Sequence, residues 1–160
     1  MLRGEDIVLR PLQESDLYFL ESIENNKKNW QFGSERKHFN RQELFDYIAN
    51  AKTDIKLAKQ YRFVIDLNSV PIGFIDLFDY TLTSAGIGVI ISKDHRNKGF
   101  AKEALNLITH YGFNLLKLRK LYCSIVKDNV SSTKLFTSCG FKLEKEVMNL
   151  QSFVKFAKSL

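Results

Sequence analysis

The sequence predicts an α+β (mixed α/β) fold, in which a central, mostly antiparallel twisted sheet of six to seven strands is flanked by about four helices. Three observations carry this reading. Runs rich in β-branched and aromatic residues alternate with segments whose apolar residues recur at helical spacing. Three of the strand-like runs follow one another across short polar gaps, as antiparallel neighbours do. No repeat, linker or low-complexity stretch divides the 160 residues, so 1–160 reads as a single domain, large enough to bury most of the apolar surface it exposes when unfolded.

Taken in order, "IVLRPLQ" alternates loosely and runs into a proline, which makes a first strand. "ESDLYFLESIENN" follows with Ser15 as a plausible N-cap before apolar helical spacing. Residues 25–40 are polar, carry Trp30 and Phe32 among charges, and read as a loop leading to a second helix, "RQELFDYIANAKT". "YRFVIDL", "PIGFIDLFDY" and "AGIGVIIS" are the three consecutive strands. "KEALNLITHYGFNLL" sets Ala104, Leu105, Ile108, Tyr111, Leu115 and Leu116 on a mainly apolar helical face, weakened at Gly112. "KLYCSIVK" is a strand, "NVSSTKLFTSCG" a short helix ended by Gly140, and "FKLEKEVMNLQSFVKF" one or two closing strands.

Composition excludes several classes of function. Hydrophobic residues at 44% and charged residues at 26% are ordinary globular usage, so disorder and fibrous structure are excluded. Apolar runs such as "GIGVIIS" fall far short of the ~20 residues needed to span a bilayer. The opening "MLRGEDIVLRPL" has no signal-peptide core, so the expected location is cytoplasmic, with no membrane partner. Cys123 and Cys139 have neither CxxC spacing nor clustered histidines, and His38, His95 and His110 are scattered; two reduced, buried thiols and no metal are expected. A net charge of +6 favours an anionic partner, whether nucleic acid, a membrane surface or a phosphorylated cofactor. No zinc spacing, RNP signature or recognition-helix motif points to nucleic acid.

The stretch "HRNKGFAKEAL", residues 95–105, sets a basic cluster and one glycine directly before a helical pattern. The first N–H groups of a helix lack internal acceptors and sit at the positive end of its dipole, so this point is suited to an anion. Arg96 and Lys98 add formal charge, and Gly99 has no Cβ to keep a phosphate from the backbone. By local composition alone, "HRNKG" reads first as a solvated turn with Gly99 ending a strand. GxxxxGK[ST] is absent, and Gly86 and Gly88 are followed by Ile91 where a Rossmann fingerprint needs glycine, so neither of those phosphate loops is present.

Two blocks in order decide between these readings. Arg96-Asn97-Lys98-Gly99-Phe100-Ala101 resembles the R/Q-x-x-G-x-G/A loop of the GNAT N-acetyltransferases, and Asp128, Asn129, Ser132, Leu135, Phe136, Gly140 and Phe141 resemble that family's second block about thirty residues on. Weaker similarity in "LRPLQESDL" and "PIGFIDLFDY" extends the resemblance over nearly the whole chain, closest to the branch of ribosomal-protein N-terminal and spermidine or diamine N-acetyltransferases. It implies the GNAT fold and acetyl-CoA as cosubstrate. In that reading, Val89, Ile90 and Ile91 pair with the pantetheine arm, residues 96–101 wrap the pyrophosphate, and Asn129, Ser132 and Lys134 lie along the arm. The implied acceptor is a small-molecule amine or a protein N-terminus, reached by direct transfer in a ternary complex, and a homodimer is common among such proteins.

An amine with a pKa of ~10 must lose its proton before it attacks a thioester. Glu24, Glu35, Asp76 and Asp79 are candidates near the acceptor cleft, although each is equally ordinary surface. Many relatives carry a tyrosine seven residues after the asparagine to protonate the departing thiolate, where this chain has Phe136; water, Tyr80 or Tyr122 could take that role, and Tyr122, on a strand, reads first as a packing residue. The spermidine enzymes tend to carry a glutamate where this chain has Gly86. These departures leave a noncatalytic acetyl-CoA-binding GNAT-like module as the alternative.

Overall fold

The computed structural model describes residues 1–27 and 38–158. The elements follow as β1 (Leu2–Arg3), β2 (Val8–Pro11), α1 (Leu17–Glu24), α2 (Arg41–Asn50), α3 (Ile55–Ala58), β3 (Tyr61–Leu67), β4 (Val70–Phe78), β5 (Ser84–Ile91), α4 (Phe100–His110), β6 (Lys120–Val126), α5 (Val130–Ser138), β7 (Lys142–Val147) and β8 (Leu150–Phe156). The strands form one sheet in the order β1-β2-β3-β4-β5-β6-β8-β7. Every neighbouring pair is antiparallel except β5 and β6.

Eight strands and five α-helices exceed the expected six to seven and four, and the additions share a cause. β1 is two residues long and α3 a single turn, too short to repeat any period. The stretch read as one or two closing strands forms two, β7 and β8, and every residue of β7 is exposed. Ser15 is not the cap of the first helix: Gln13 opens a short 3-10 turn over 14–16, and its N–H donates to Asp16 at 2.8 Å. The helix predicted through Leu116 stays α-helical to His110 and then widens into a π turn over 111–115, where Gly112 lies close against Leu121. α2 begins where Asn40 and Glu43 cap each other reciprocally, at 2.8 and 3.3 Å.

Side chains alternate across the sheet, so its two faces carry different cores. Phe63, Ile65, Ile75, Leu77, Ala85, Ile87 and Ile91 pack with Ala104, Leu105 and Ile108 of α4 and Phe136 of α5. On the other face Val64 and Phe74 pack with Leu20 and Ile23 of α1 and Leu44 and Ile48 of α2. Arg10 joins three segments on this face, donating to both carboxylate oxygens of Asp16 at 2.9 Å and to Asp66 at 2.6 Å, all three residues buried. Among the described residues, no helix is long and apolar enough to cross a membrane.

Candidate active site

The sheet is split at its centre. β5 and β6 pair only through Ser84–Lys120, Ala85–Leu121 and Gly86–Tyr122, although β5 runs on to Ile91 and β6 to Val126. Each keeps its other neighbour throughout: β4 stays on β5 from Gly86 to Ile91, and β8 stays on β6. The edges of residues 87–91 and 123–126 therefore face each other across a wedge, with its apex at the Gly86–Tyr122 rung.

Because β5 and β6 are parallel, the helices that follow them, α4 and α5, both start at the open end of the wedge. The turn after β5 is pinned to the strand by Arg96, whose Nε donates to the Ile91 carbonyl at 2.9 Å, and by the Ser92 hydroxyl 2.8 Å from His95 Nδ1. Asn97 and Gly99 take left-handed backbone, at φ 61° and 87°. That places Gly99 at the N-cap of α4, where no side chain caps the helix and a Cβ would meet nothing within 4 Å. The helix start thus opens onto unoccupied space flanked by exposed Lys98, while Phe100 and Ala101 pack toward the core. Residues 89–91 and 96–101 consequently gather around one end of the wedge.

Asn129 sits at the start of α5, and its Oδ1 accepts from the Ser132 N–H at 3.2 Å. It is therefore a helix cap, while its Nδ2 has no acceptor among the described residues. Ser132 and Lys134 lie in the first two turns of that helix.

The acidic candidates divide sharply. Glu35 lies outside the described residues. Asp79 is exposed just after β4, in left-handed backbone at φ 48°. Tyr80 is buried in the core on the α4 face, its ring 5.9 Å from Lys59 Nζ. Glu24 and Asp76 meet at Arg62, a residue the sequence reading missed. Its Nη1 donates to Glu24 at 2.6 Å, and Nε and Nη2 donate to the two Asp76 oxygens at 2.8 and 2.9 Å. The guanidinium also stacks near the rings of Phe74 and Tyr47, at 4.9 and 5.6 Å. Burial opposes its charge, but Asp76, Tyr47 and Glu24 outweigh that and hold its pKa well above the ordinary value. Asp76 pairs across the β-ladder with Gly88, beside the wedge, on the face that carries α1 and α2.

Phe78 closes the apex on that same face. Its ring lies where a Cβ at Gly86 would stand and is 3.9 Å from the Cβ position of Gly88. It meets Tyr122 edge-on with centroids 6.2 Å apart. On the opposite face Phe136 is buried edge-on against Phe141 at 5.1 Å. Cys123 and Cys139 are free and buried, and burial pushes the Cys123 thiol up to about 12, so it is no nucleophile near neutral pH. Among the described residues no group of three or more His, Cys, Asp or Glu could hold a metal ion.

A family model described as an acetyltransferase (GNAT) domain matches residues 6–142. The spermidine N(1)-acetyltransferase of Vibrio cholerae serotype O1 is 30% identical over 142 residues, covering 86% of this chain and 80% of that protein. That of Escherichia coli strain K12 is 28% identical over 151 residues, covering 93% and 80%. The crystal structure of a Vibrio cholerae spermidine N-acetyltransferase in complex with CoA and spermine superposes with a TM-score of 0.84 at 24% identity, over 96% of each chain.

Proposed function

The chain belongs to the GNAT acetyltransferase family, and from that premise we propose that it transfers the acetyl group of acetyl-CoA to a primary amine of a small polycation, a polyamine or diamine. The observation that carries the acceptor class is the Glu24–Asp76 pair around Arg62. It sets two carboxylates beside the wedge of a chain whose net charge is +6. Carboxylates there attract an alkylammonium. The named relatives act on spermidine, which agrees.

In this reading the pyrophosphate sits on the backbone from Arg96 to Ala101, where the α4 dipole and Lys98 meet it. The pantetheine arm adds along Val89, Ile90 and Ile91 as a missing strand would, and Asn129 offers it Nδ2 while Oδ1 keeps the cap. Ser132 and Lys134 border the same arm. The amine enters from the α1–α2 face and gives its proton to water held by the Asp76–Glu24 pair, then attacks the thioester directly in a ternary complex. No enzyme nucleophile is needed, in keeping with the buried Cys123. A Vibrio cholerae spermidine N-acetyltransferase forms a dodecamer, and we extend self-association, checked by light scattering, to this chain.

The test is thiol release from acetyl-CoA with spermidine, spermine, short diamines and basic N-terminal peptides offered separately. Turnover with polyamines or diamines is expected. Turnover with peptides alone would overturn the acceptor class, and acetyl-CoA binding without turnover on any amine would mark a noncatalytic module.

A further inference from the structure

We propose that Tyr122 is the catalytic acid that protonates the departing coenzyme A sulfur at the apex of the wedge. This rests on the placement of acetyl-CoA proposed above.

The position follows from strand geometry. From Ile91 at the open end to Gly86 at the apex runs about 17 Å of strand, at about 3.3 Å per residue. An extended pantetheine arm anchored at the loop after Ile91 has a similar reach, so its sulfur arrives near the last paired rung, and that rung is Gly86–Tyr122. Gly86 contributes no side chain there. On the face from which the amine enters, Phe78 and Tyr122 lie over it, and of these two only Tyr122 carries a transferable proton.

Among the described residues, the other candidates are placed away from the sulfur. On the opposite face, Phe136 has no hydroxyl, and the Cys123 thiol lies in the core. Tyr80 is buried in that same core, on the α4 side. Tyr122 itself is half-buried, and its hydroxyl has no hydrogen-bond partner among the described residues, so it is not committed to a structural role. Burial, and then the nearby Asp79 carboxylate, raise its pKa, which keeps the phenol protonated at neutral pH. Among the described residues, the charged groups on this face include the Glu24–Arg62–Asp76 cluster, Asp79 after β4 and, two residues back along β6, Lys120 paired with Glu144 at 3.3 Å.

The step balances. The amine nitrogen bonds to the carbonyl carbon and the carbonyl π pair moves to oxygen. On collapse that pair reforms the C=O, and the C–S bond breaks with its electrons going to sulfur, which takes the proton from Tyr122 Oη. The phenolate recovers a proton, through water, from the nitrogen that has become the amide, leaving amide, thiol and phenol.

The experiment compares wild type, Tyr122→Phe and 3-fluorotyrosine at position 122, reading kcat with the best amine, the Kd of acetyl-CoA and Tm. The Phe variant keeps the ring contact with Phe78 and loses only the proton. Its kcat is expected to fall about 100-fold, the lower range for a general acid, with Kd and Tm unchanged, while the fluorinated variant keeps most of its turnover. A kcat for Tyr122→Phe within threefold of wild type overturns the proposal alone, as does a loss of acetyl-CoA binding or Tm that accounts for the fall. Failure of the wild type to turn over any amine overturns the transferase reading beneath it.

Discussion

The open end of the wedge and its apex are built from different materials. In the proposed site, the open end consists of backbone amides, two helix starts and one glycine in left-handed conformation, set by two short stretches of chain. Its apex is formed by the side chains of Glu24, Arg62, Asp76, Phe78 and Tyr122, which come from α1, β3, β4 and β6. A site made of backbone leaves a compact motif in sequence. A site made of converging side chains leaves residues tens of positions apart, and each of them alone resembles surface or core.

If the two ends are separate in function, substitutions should part them, and the largest effect is expected at Gly99. Gly99→Glu forces a side chain into left-handed backbone and puts a carboxylate before the α4 N-terminus. Its Kd for acetyl-CoA should rise by about 100-fold, or ~2.7 kcal/mol at 1.36 kcal/mol per decade, as read by calorimetric titration, while the fold seen by circular dichroism persists. A Kd within threefold of wild type would detach the loop from the coenzyme.

Of comparable size, but on stability, is Arg62→Met. Removing the guanidinium leaves Asp76 and Glu24 without their shared partner in a part-buried site. Denaturant unfolding should show a loss of about 3 kcal/mol, whereas the loop at the open end, which does not touch this network, should bind acetyl-CoA as before once the protein is folded. Equal stability would mean that the network contributes nothing.

Phe78→Ala acts on choice of acceptor more than on rate. It clears the space over Gly86 and Gly88, so the ratio of kcat/KM for spermine over a short diamine should rise several-fold, within the tenfold or so that one pocket change supplies. An unchanged ratio would remove Phe78 from the acceptor path.

The smallest effect should come from Asn129→Asp. Aspartate caps a helix as well as asparagine does, so Tm should hold while loss of the Nδ2 donor weakens acetyl-CoA binding by about threefold. A fall in Tm with unchanged binding would leave Asn129 a cap and nothing more.

The same contrast explains how much was legible in the sequence. β3, β4 and β5 were legible because each is a long run rich in branched and aromatic residues, and the loop at 96–101 because it and the block at 128–141 together resemble one family's pair of motifs. β1 and α3 are shorter than the period that would reveal them, and β7, exposed throughout, left the closing stretch readable as one strand or two. Asp76 was legible only as one acid among several. What distinguishes it is Arg62, fourteen residues away and brought opposite by the β3–β4 ladder. The register that pairs Tyr122 with Gly86 is likewise a property of the parallel β5–β6 junction, which no local pattern encodes.

The most direct test of two separable ends is one variant measured twice. Asp76→Asn keeps the shape of the acceptor side and removes its charge, so acetyl-CoA titration should give a Kd within twofold of wild type while kcat/KM for spermidine falls about 100-fold. Unchanged spermidine turnover, or a coenzyme affinity that falls with it, would contradict the account.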